Sequence, residues 1–260
     1  GVIVNVQRGG PGLGTIQPSQ GDYFQATRGG GNGDYKVIVL APDSVQEMAD
    51  FMDLAFELAF RYRNPVMILS DGVIGQMMEK VVLPPQKSRL SDEEVMRKYP
   101  WASFGRVGGR KPNIITSLEL KPEVMEERNI HLQKKYQECK EKETRCETIM
   151  MDDAEYAVVA FGSMARIAEK AVELARENGI KAGLFRPITL WPFPDKQIAD
   201  LCNHCKGILV AEMNAGQMID DVRLAVNGRV PVKHYGRQGG IVPDPSEIEE
   251  ELNKLRNYAK

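Results

Sequence analysis

The sequence predicts an α/β protein with two parallel sheets, and three observations carry that prediction. Apolar runs of strand length recur along the chain, amphipathic stretches of helical period lie between them, and a densely charged segment separates an earlier block from a later one. Apolar strands alternating with helical stretches give βαβ units, whose strands lie parallel. A length of 260 residues allows two domains of ordinary size.

Taken in order, Val2 to Val6 reads as a strand entering a glycine-rich loop. It follows Gly1 directly, with no Met, so the start reads as an internal boundary with further units upstream. Lys36 to Leu40 is a second apolar strand, closed by the turn Ala41-Pro42-Asp43. Ser44 is a suitable N-cap, with Gln46 and Glu47 in the first turn of the helix it opens. That helix carries Met48, Phe51, Met52, Leu54, Ala55, Phe56, Leu58 and Ala59 at helical spacing, and Asn64-Pro65 ends it before the strand Val66 to Ser70.

Residues 80 to 121 change character. Pro84-Pro85, Pro100, Gly105, Gly108-Gly109 and Pro112 punctuate a polar stretch of little periodicity, which reads as a linker or surface arm. Pro122 to Met151 is dense in Glu, Lys and Arg and reads as a mostly exposed helix joining two bodies. The second block then runs as a strand Tyr156 to Phe161, a helix Met164 to Asn178 ended by Gly179, a strand Ala182 to Leu190, and a helix near Asp195 to Cys202. It continues as a strand Gly207 to Ala211, a helix from about Gly216 to Val226, and a strand Val230 to Tyr235. Ligands of such sheets bind outside the carboxyl ends of the strands, at the loops after Val6, Leu40, Ser70, Phe161 and Ala211.

The charge balance removes whole classes of partner. With 34 basic and 36 acidic residues there is no electrostatic footprint of a nucleic-acid binder, nor any reason to propose an anionic membrane surface. No apolar run approaches the roughly 20 residues needed to span a bilayer, and residues 1 to 14 lack the layout of a secretory signal, so the expectation is a soluble, cytoplasmic protein. Four cysteines are too sparse for a disulfide scaffold and suit free thiols in a reducing compartment.

The loop Gln7-Arg8-Gly9-Gly10-Pro11-Gly12-Leu13-Gly14-Thr15-Ile16-Gln17 sets an arginine among four glycines. Glycines admit close approach of the backbone to a ligand, and a guanidinium fork can grip a carboxylate through two parallel hydrogen bonds. The spacing matches neither the dinucleotide fingerprint nor a P-loop.

Seven stretches together resemble the alpha subunits of 2-oxoacid:ferredoxin oxidoreductases, above all the branch acting on branched substrates such as 2-oxoisovalerate. They are Gln7-Arg8-Gly9-Gly10-Pro11, Gln20-Gly21-Asp22, Gly31-Asn32-Gly33-Asp34, Leu40-Ala41-Pro42, Pro65 to Asp71, Glu212-Met213-Asn214-Ala215-Gly216-Gln217 and Tyr235-Gly236-Arg237-Gln238-Gly239-Gly240. The resemblance implies three divisions: residues 1–82 as the C-terminal half of a thiamine-diphosphate pyrimidine-binding domain, 83–150 as a linker arm and charged helix, and 151–260 as a transketolase C-terminal-like domain. It further implies Arg8 as the clamp on the 2-oxo acid carboxylate, Gln17 at a substrate-contacting position, and Gly9, Gly10 and Gly12 shaping the pocket beside the cofactor. The family loop usually continues Gly-Pro-Ser-Thr-Gly-Leu-Pro-Thr, whereas here the Ser-Thr pair is absent and Gln17 stands where a threonine often meets the substrate.

By the same resemblance, thiamine diphosphate and Mg2+ are held mainly by a partner subunit, and iron-sulfur clusters lie on other subunits. The partners implied are the beta and gamma, and in some assemblies delta, subunits, together with ferredoxin, coenzyme A and a 2-oxo acid. The assembly implied is a hetero-oligomer or a homodimer of the alpha chain. The family's Tyr-Pro-Ile-Thr-Pro loop and cofactor-activating glutamate occur nowhere in this sequence, so the chain alone is expected to be inactive, with no catalytic residue assigned on it. Two rival readings are a lipoamide-linked dehydrogenase or transketolase-like subunit, and a non-catalytic assembly module.

Other motifs admit plainer readings. Cys202-Asn203-His204-Cys205 lacks a second matched cysteine pair, since Cys139 and Cys146 have six residues between them on a charged segment, so no metal or cluster is assigned. Glu212 to Gln217 either meets a ligand or partner, or is a helix start with Asn214 as cap and Gln217 completing a capping box. His131, His204 and His234 stand apart from any carboxylate or nucleophile pattern. Arg106 to Lys111 reads as a solvated loop, and Trp191-Pro-Phe-Pro194 as a packed turn.

Overall fold

A computed structural model describes residues 1–86 and 88–259. The first sheet takes strands β1 (Val2–Gln7), β2 (Ile38–Leu40) and β3 (Val66–Asp71) in the order β1, β3, β2, all parallel. A fourth strand, β7 (Thr189–Trp191), joins its edge antiparallel to β2 although it comes from the later block. The second sheet has the order β4 (Cys146–Ile149), β6 (Ala182–Pro187), β5 (Tyr156–Val159), β8 (Gly207–Glu212) and β9 (Val232–Gly236). All its pairs are parallel except β4 with β6.

The central strands are apolar throughout because helices or the opposite sheet cover both faces. Ile38, Val39 and Leu40 of β2 are fully buried, as are Ile208, Leu209 and Val210 of β8. Helix α1 (Tyr23–Arg28) lies between β1 and β2, and α2 (Val45–Tyr62) crosses from β2 to β3. Ser44 caps α2 by accepting from the Glu47 amide at 3.2 Å, and Arg63 ends it in the left-handed region at φ 45°. Phe51, Ala55, Leu58, Ala59 and Tyr62 form its buried face.

In the later block α5 (Gly162–Glu177), α6 (Asp195–Leu201) and α7 (Met218–Val226) provide the crossovers. A further helix, α8 (Pro245–Tyr258), was not expected, since the sequence reading placed the last element at Tyr235. It opens with Pro245 at its start and a capping box between Asp244 and Glu247. It then buries Ile248, Leu252 and Leu255 in the same cluster as Ala165, Ala168, Ala171 and Val172 of α5.

Two expectations need correction. The charged helix α4 (Pro122–Lys142) stops at Lys142 rather than running to Met151, and β4 follows it. Glu143 is the C-cap, leaving helical backbone at φ −116° and ψ 2°, and its buried carboxylate accepts from Arg61 and the Tyr62 hydroxyl at 2.8 Å each and from Arg145 at 3.0 Å. The segment after it carries half-buried Cys146 and Ile149 around exposed Glu147 and Thr148, as an edge strand should. The single strand expected over Ala182 to Leu190 divides at Ile188 into β6 and β7, and Trp191, which ends β7 ahead of the turn into α6, packs edge-on to Tyr136 with ring centroids 5.4 Å apart. In the arm, α3 (Asp92–Lys98) carries a capping box from Ser91 to Glu94.

Candidate functional site

The carboxyl ends of the two sheets face each other, and the loops leaving them interlock. Asp71, at the end of β3, accepts from the Ser163 amide at 3.2 Å and from the Ser163 hydroxyl at 2.7 Å, at the first turn of α5. Its other oxygen takes the Val73 and Ile74 amides at 2.9 and 3.3 Å. Close by, the Gln20 side chain donates to the Phe161 carbonyl at 2.7 Å. Gly162, with φ +57°, leaves the room this requires, because a Cβ there would lie 3.1 Å from Gln20 Nε2 and 3.3 Å from Asp71 Oδ2.

The glycine loop after β1 forms a closed ring. Gly9 donates to the Gln17 carbonyl and Thr15 donates to the Gly9 carbonyl, both at 2.8 Å. Gly14 must be glycine for this closure, since a Cβ there would stand 1.8 Å from the Gly9 oxygen. Beneath the ring, Gln7 is buried and bridges two strands, donating to Ser70 O at 3.2 Å and accepting from the Asp22 amide at 2.9 Å. Arg8 and Gln17 are exposed on the ring, and their side chains bond to no described residue. Gly9 is buried, whereas Gly10 and Gly12 are exposed with no described atom within 4 Å of a would-be Cβ.

The other side of the ring rests on the segment that follows β9. Thr15 Oγ1 donates to the Gly239 carbonyl at 3.1 Å, and a Cβ on Gly9 would fall 2.9 Å from that carbonyl oxygen. Gly240, with φ +98°, passes so near Gln17 that a Cβ would meet the Gln17 Cβ at 2.4 Å. The Glu247 carboxylate steadies the strand end before this turn, accepting from the Tyr235 hydroxyl and from Arg237, both at 2.6 Å.

Glu212 to Gln217 does not form the capping box expected from sequence. Asn214 does not cap α7. Its amide donates instead to Gln20 O at 2.8 Å and to Glu212 at 3.0 Å, and its oxygen accepts from Gly216 N at 2.7 Å. The cap is Glu212, fully buried at the end of β8, whose carboxylate accepts from the Met218 amide at 2.8 Å and the Ile219 amide at 3.1 Å. Gln217 then joins the two blocks, accepting from Phe24 N and donating to Gly21 O, both at 2.8 Å. Gln20 closes the latch, with its backbone donating to Met213 O at 3.0 Å and its side-chain oxygen accepting from Met213 N at 3.1 Å. The Gln20-Gly21-Asp22 and Glu212 to Gln217 stretches are therefore two halves of one interlock.

His234 was expected to stand apart from carboxylates, yet the fold sets its Nε2 3.7 Å from Glu212 Oε1. Burial holds its pKa below the ordinary value, with Glu212 pulling the other way and Arg223 adding to the depression. A second buried relay ties α1 to α7: the Tyr23 hydroxyl donates to Asp221 at 2.6 Å, and Arg28 pairs with the same carboxylate at 2.9 Å. Burial, first, and Asp221, second, push the Tyr23 phenol well up.

Among the described residues no group of three or more His, Cys, Asp or Glu is arranged to hold a metal ion. Asp71, at the end of β3, has both oxygens engaged by protein donors. Ser70 Oγ, one residue earlier in β3, is buried with no protein partner. Cys205 is buried, its thiol 3.8 Å from Ala154 O and pushed up to about 11 by desolvation, and burial also raises the Cys202 thiol. No described helix is long and apolar enough to cross a membrane. Arg110, read from sequence as part of a solvated loop, instead ties the arm together by donating to Pro100 O and Ala102 O.

Comparison with known proteins adds what geometry alone does not. Residues 1–150 match the family profile described as pyruvate flavodoxin/ferredoxin oxidoreductase, thiamine diphosphate binding, and residues 154–248 match pyruvate:ferredoxin oxidoreductase core domain II. The ketoisovalerate oxidoreductase subunit VorB of Methanothermobacter thermautotrophicus is 45% identical over 260 residues, covering 99% of this chain and 70% of its own length. The 2-oxoglutarate synthase subunit KorA of Methanothermobacter marburgensis is 35% identical over 278 residues, covering 98% of this chain and 72% of its own. Among solved structures, the 2-oxoglutarate:ferredoxin oxidoreductase from Magnetococcus marinus, with 2-oxoglutarate, coenzyme A and succinyl-CoA bound, superposes with a TM-score of 0.78 at 22% identity. It covers 98% of this chain but only 48% of that one, and at such identity it speaks for the fold alone.

Proposed function

Because this chain belongs, as a subunit, to the 2-oxoacid:ferredoxin oxidoreductase family, we propose that it orients a 2-oxo acid for oxidative decarboxylation to an acyl-coenzyme A, with electrons passing to ferredoxin. The observation that carries this reading is the position of Arg8. An exposed guanidinium with no hydrogen-bond or ion-pair partner among the described residues stands on a closed glycine ring at the carboxyl end of a parallel sheet, where ligands of this architecture bind. A carboxylate offers the planar, two-oxygen acceptor that this fork fits. We assign Gln17, exposed on the returning arm of the ring, to the same substrate, and Gly9, Gly10 and Gly12 to a wall kept free of side chains beside the cofactor.

A branched substrate such as 2-oxoisovalerate is the one we favour, because identity is 45% to the ketoisovalerate oxidoreductase subunit against 35% to the 2-oxoglutarate synthase subunit. Family membership stands against the lipoamide-linked and assembly-only readings. The organisation we propose is 1–82 for the pyrimidine-side unit, 83–150 for the arm and charged helix, and 151–260 for the transketolase C-terminal-like unit. The position of α4 between the two blocks supports it, although β4 of the middle segment joins the second sheet and β7 of the last unit joins the first.

Thiamine diphosphate, when bound, supplies the electron sink for loss of the carboxyl group. The residues present suit its pyrimidine side, where Ser70 Oγ is a buried polar atom without a hydrogen-bond partner among the described residues. They do not suit the diphosphate and Mg2+, because Asp71 is fully engaged and no acidic cluster is available among the described residues. We therefore assign diphosphate, Mg2+ and iron-sulfur clusters to partner subunits of a hetero-oligomeric, cytoplasmic complex.

The test is to assemble the full-length chain with its partner subunits and follow viologen reduction by 2-oxoisovalerate and coenzyme A. Arg8→Ala should lower kcat/KM by about 2 to 3 kcal/mol, or roughly 30- to 150-fold, the worth of a charge-assisted hydrogen-bond pair. An unchanged kcat/KM for the variant would sink the reading.

A further inference from the structure

We propose that the Gly239-Gly240 turn, which belongs to the later block, is a positioning element for Arg8 and so sets the affinity for the 2-oxo acid from the far side of the interface. This rests on the carboxylate-clamp reading of Arg8 and assigns the ring's support to residues more than two hundred positions away.

Three observations carry it. First, the ties of the ring within the earlier block lie at its ends among the described residues: the register of β1 on β3 runs up to Gln7 and Asp71, and a bridge between Arg8 and Pro18 closes the two ends on each other. Its middle, residues 10 to 16, is exposed. An exposed loop without side-chain anchors samples many conformations, and a guanidinium riding on it would have to be ordered at each binding event.

Second, the contact that supplies an anchor comes from the turn. Thr15 Oγ1 donates to Gly239 O at 3.1 Å and accepts from Gln17 N at 3.4 Å, so one hydroxyl joins the turn to the returning arm of the ring, whose Thr15 amide in turn holds the Gly9 carbonyl of the other arm. Third, the fit is steric on both partners. A Cβ on Gly9 would stand 2.7 Å from Thr15 Oγ1 and 2.8 Å from the Gly239 carbonyl carbon, and one on Gly240 would stand 2.4 Å from the Gln17 Cβ. Neither partner has space for a side chain, so ring and turn are shaped to one another.

The turn is itself rigidly seated. It leaves β9 at Gly236, where a Cβ would meet Asn214 O at 2.3 Å, and Arg237 donates from its backbone to Glu212 O and from its side chain to Glu247. Glu212 and Asn214 also belong to the latch that holds Gln20. The later block thus grips the earlier one at two places flanking Arg8, and motion of one block against the other would move the guanidinium.

Thr15→Val tests this in the assembled complex, because valine keeps the shape of threonine and removes only the hydroxyl. Loss of the anchor should raise KM for 2-oxoisovalerate about five-fold with kcat within about two-fold, a change of the size one hydrogen bond carries. In an Arg8→Ala background the same substitution should leave KM where Arg8→Ala alone puts it, since the hydroxyl acts through Arg8. Hydrogen exchange supplies a readout apart from turnover: the Gly9 and Thr15 amides should exchange faster in Thr15→Val and in Gly240→Ala, while the amides of β8 stay protected.

Unchanged KM in Thr15→Val with a raised KM in Arg8→Ala overturns the positioning role and leaves the clamp standing. A multiplicative effect in the double variant also overturns it, since the hydroxyl would then act on something other than Arg8. An Arg8→Ala enzyme with unaltered KM removes the clamp reading and this proposal together.

Discussion

Asp71 and Ser163 sit 92 residues apart in sequence, yet one oxygen of the Asp71 carboxylate takes both the amide and the hydroxyl of Ser163. The aspartate ends a strand of the first sheet and the serine opens a helix of the second, so a single buried carboxylate caps a helix across the interface. Asp71→Ala strands four donors in a dry environment and should destabilise the chain by about 3 kcal/mol or more. Asp71→Asn, which keeps one acceptor oxygen, should recover part of that loss. Chemical denaturation of the two variants side by side checks the order, and equal losses would count against a capping role.

Arg186 makes the second buried tie between the blocks. Its guanidinium, almost inaccessible to water, pairs with Asp43 and Glu147 at 2.9 Å each and with Glu47. Arg186→Met should cost about 2 to 3 kcal/mol near neutral pH, discounted because the three carboxylates keep some contact with water. The pH dependence has a definite sign. Desolvation already holds Glu47 above its usual value of 4.5, with Arg186 opposing the shift, and without the arginine it rises further. An acid whose pKa is raised on folding binds more protons folded than unfolded, so stability increases as pH falls through the window just above 4.5. The variant should therefore regain stability relative to the parent between pH 7 and pH 5. Parallel stability curves for the two proteins would contradict this.

Most of the sheet-forming strands were legible in the sequence because each is an apolar run bounded by turn residues: Val66 to Leu69 and Ile208 to Ala211 have no other place to be buried. The interface was not. Gln20, Asp71, Glu212 and Asn214 are polar residues whose donors and acceptors are satisfied only across the seam, and nothing in local spacing pairs residue 20 with residue 213. Strand β7 was hidden likewise, since three residues between Pro187 and Pro192 carry no period and pair with β2 only because the blocks dock. Helix α8 did leave a signal, the Asp244-Pro245 start with Glu247 at the third helical position, and the pattern was readable as a capping box. The ring bearing Arg8 could be singled out from composition, whereas its support by Gly239 and Gly240 could not.

The cysteine pair offers a direct test of chemistry. Burial pushes the Cys139 and Cys205 thiols up to about 11 and raises the Cys202 and Cys146 thiols as well. The thiolate is the reactive form, so at pH 8 the native chain should react with a thiol reagent far more slowly than free cysteine does. After denaturation all four should react at the ordinary rate. Rapid labelling of Cys202 and Cys205 in the native protein would reopen a redox role for the pair.

Glu212 and His234 give the last prediction, which separates two effects of one carboxylate. Replacing Glu212 by glutamine turns one acceptor oxygen into a donor facing the amides of α7, and should cost about 2 kcal/mol. The same change removes the negative charge 3.7 Å from His234 Nε2, a charge that favours the imidazolium. The His234 pKa, already below 6.5 through burial, should then fall further in Glu212→Gln. A base whose pKa is depressed on folding holds fewer protons folded than unfolded, so its contribution is intact above about 6.5 and is lost as pH falls below that value. Stability should thus decline more steeply below pH 6.5 in Glu212→Gln than in the parent, and His234→Asn should flatten the slope in both backgrounds. Proton NMR of the histidine ring reads the titration itself, and an unchanged His234 titration in Glu212→Gln would show that the buried carboxylate acts on α7 alone.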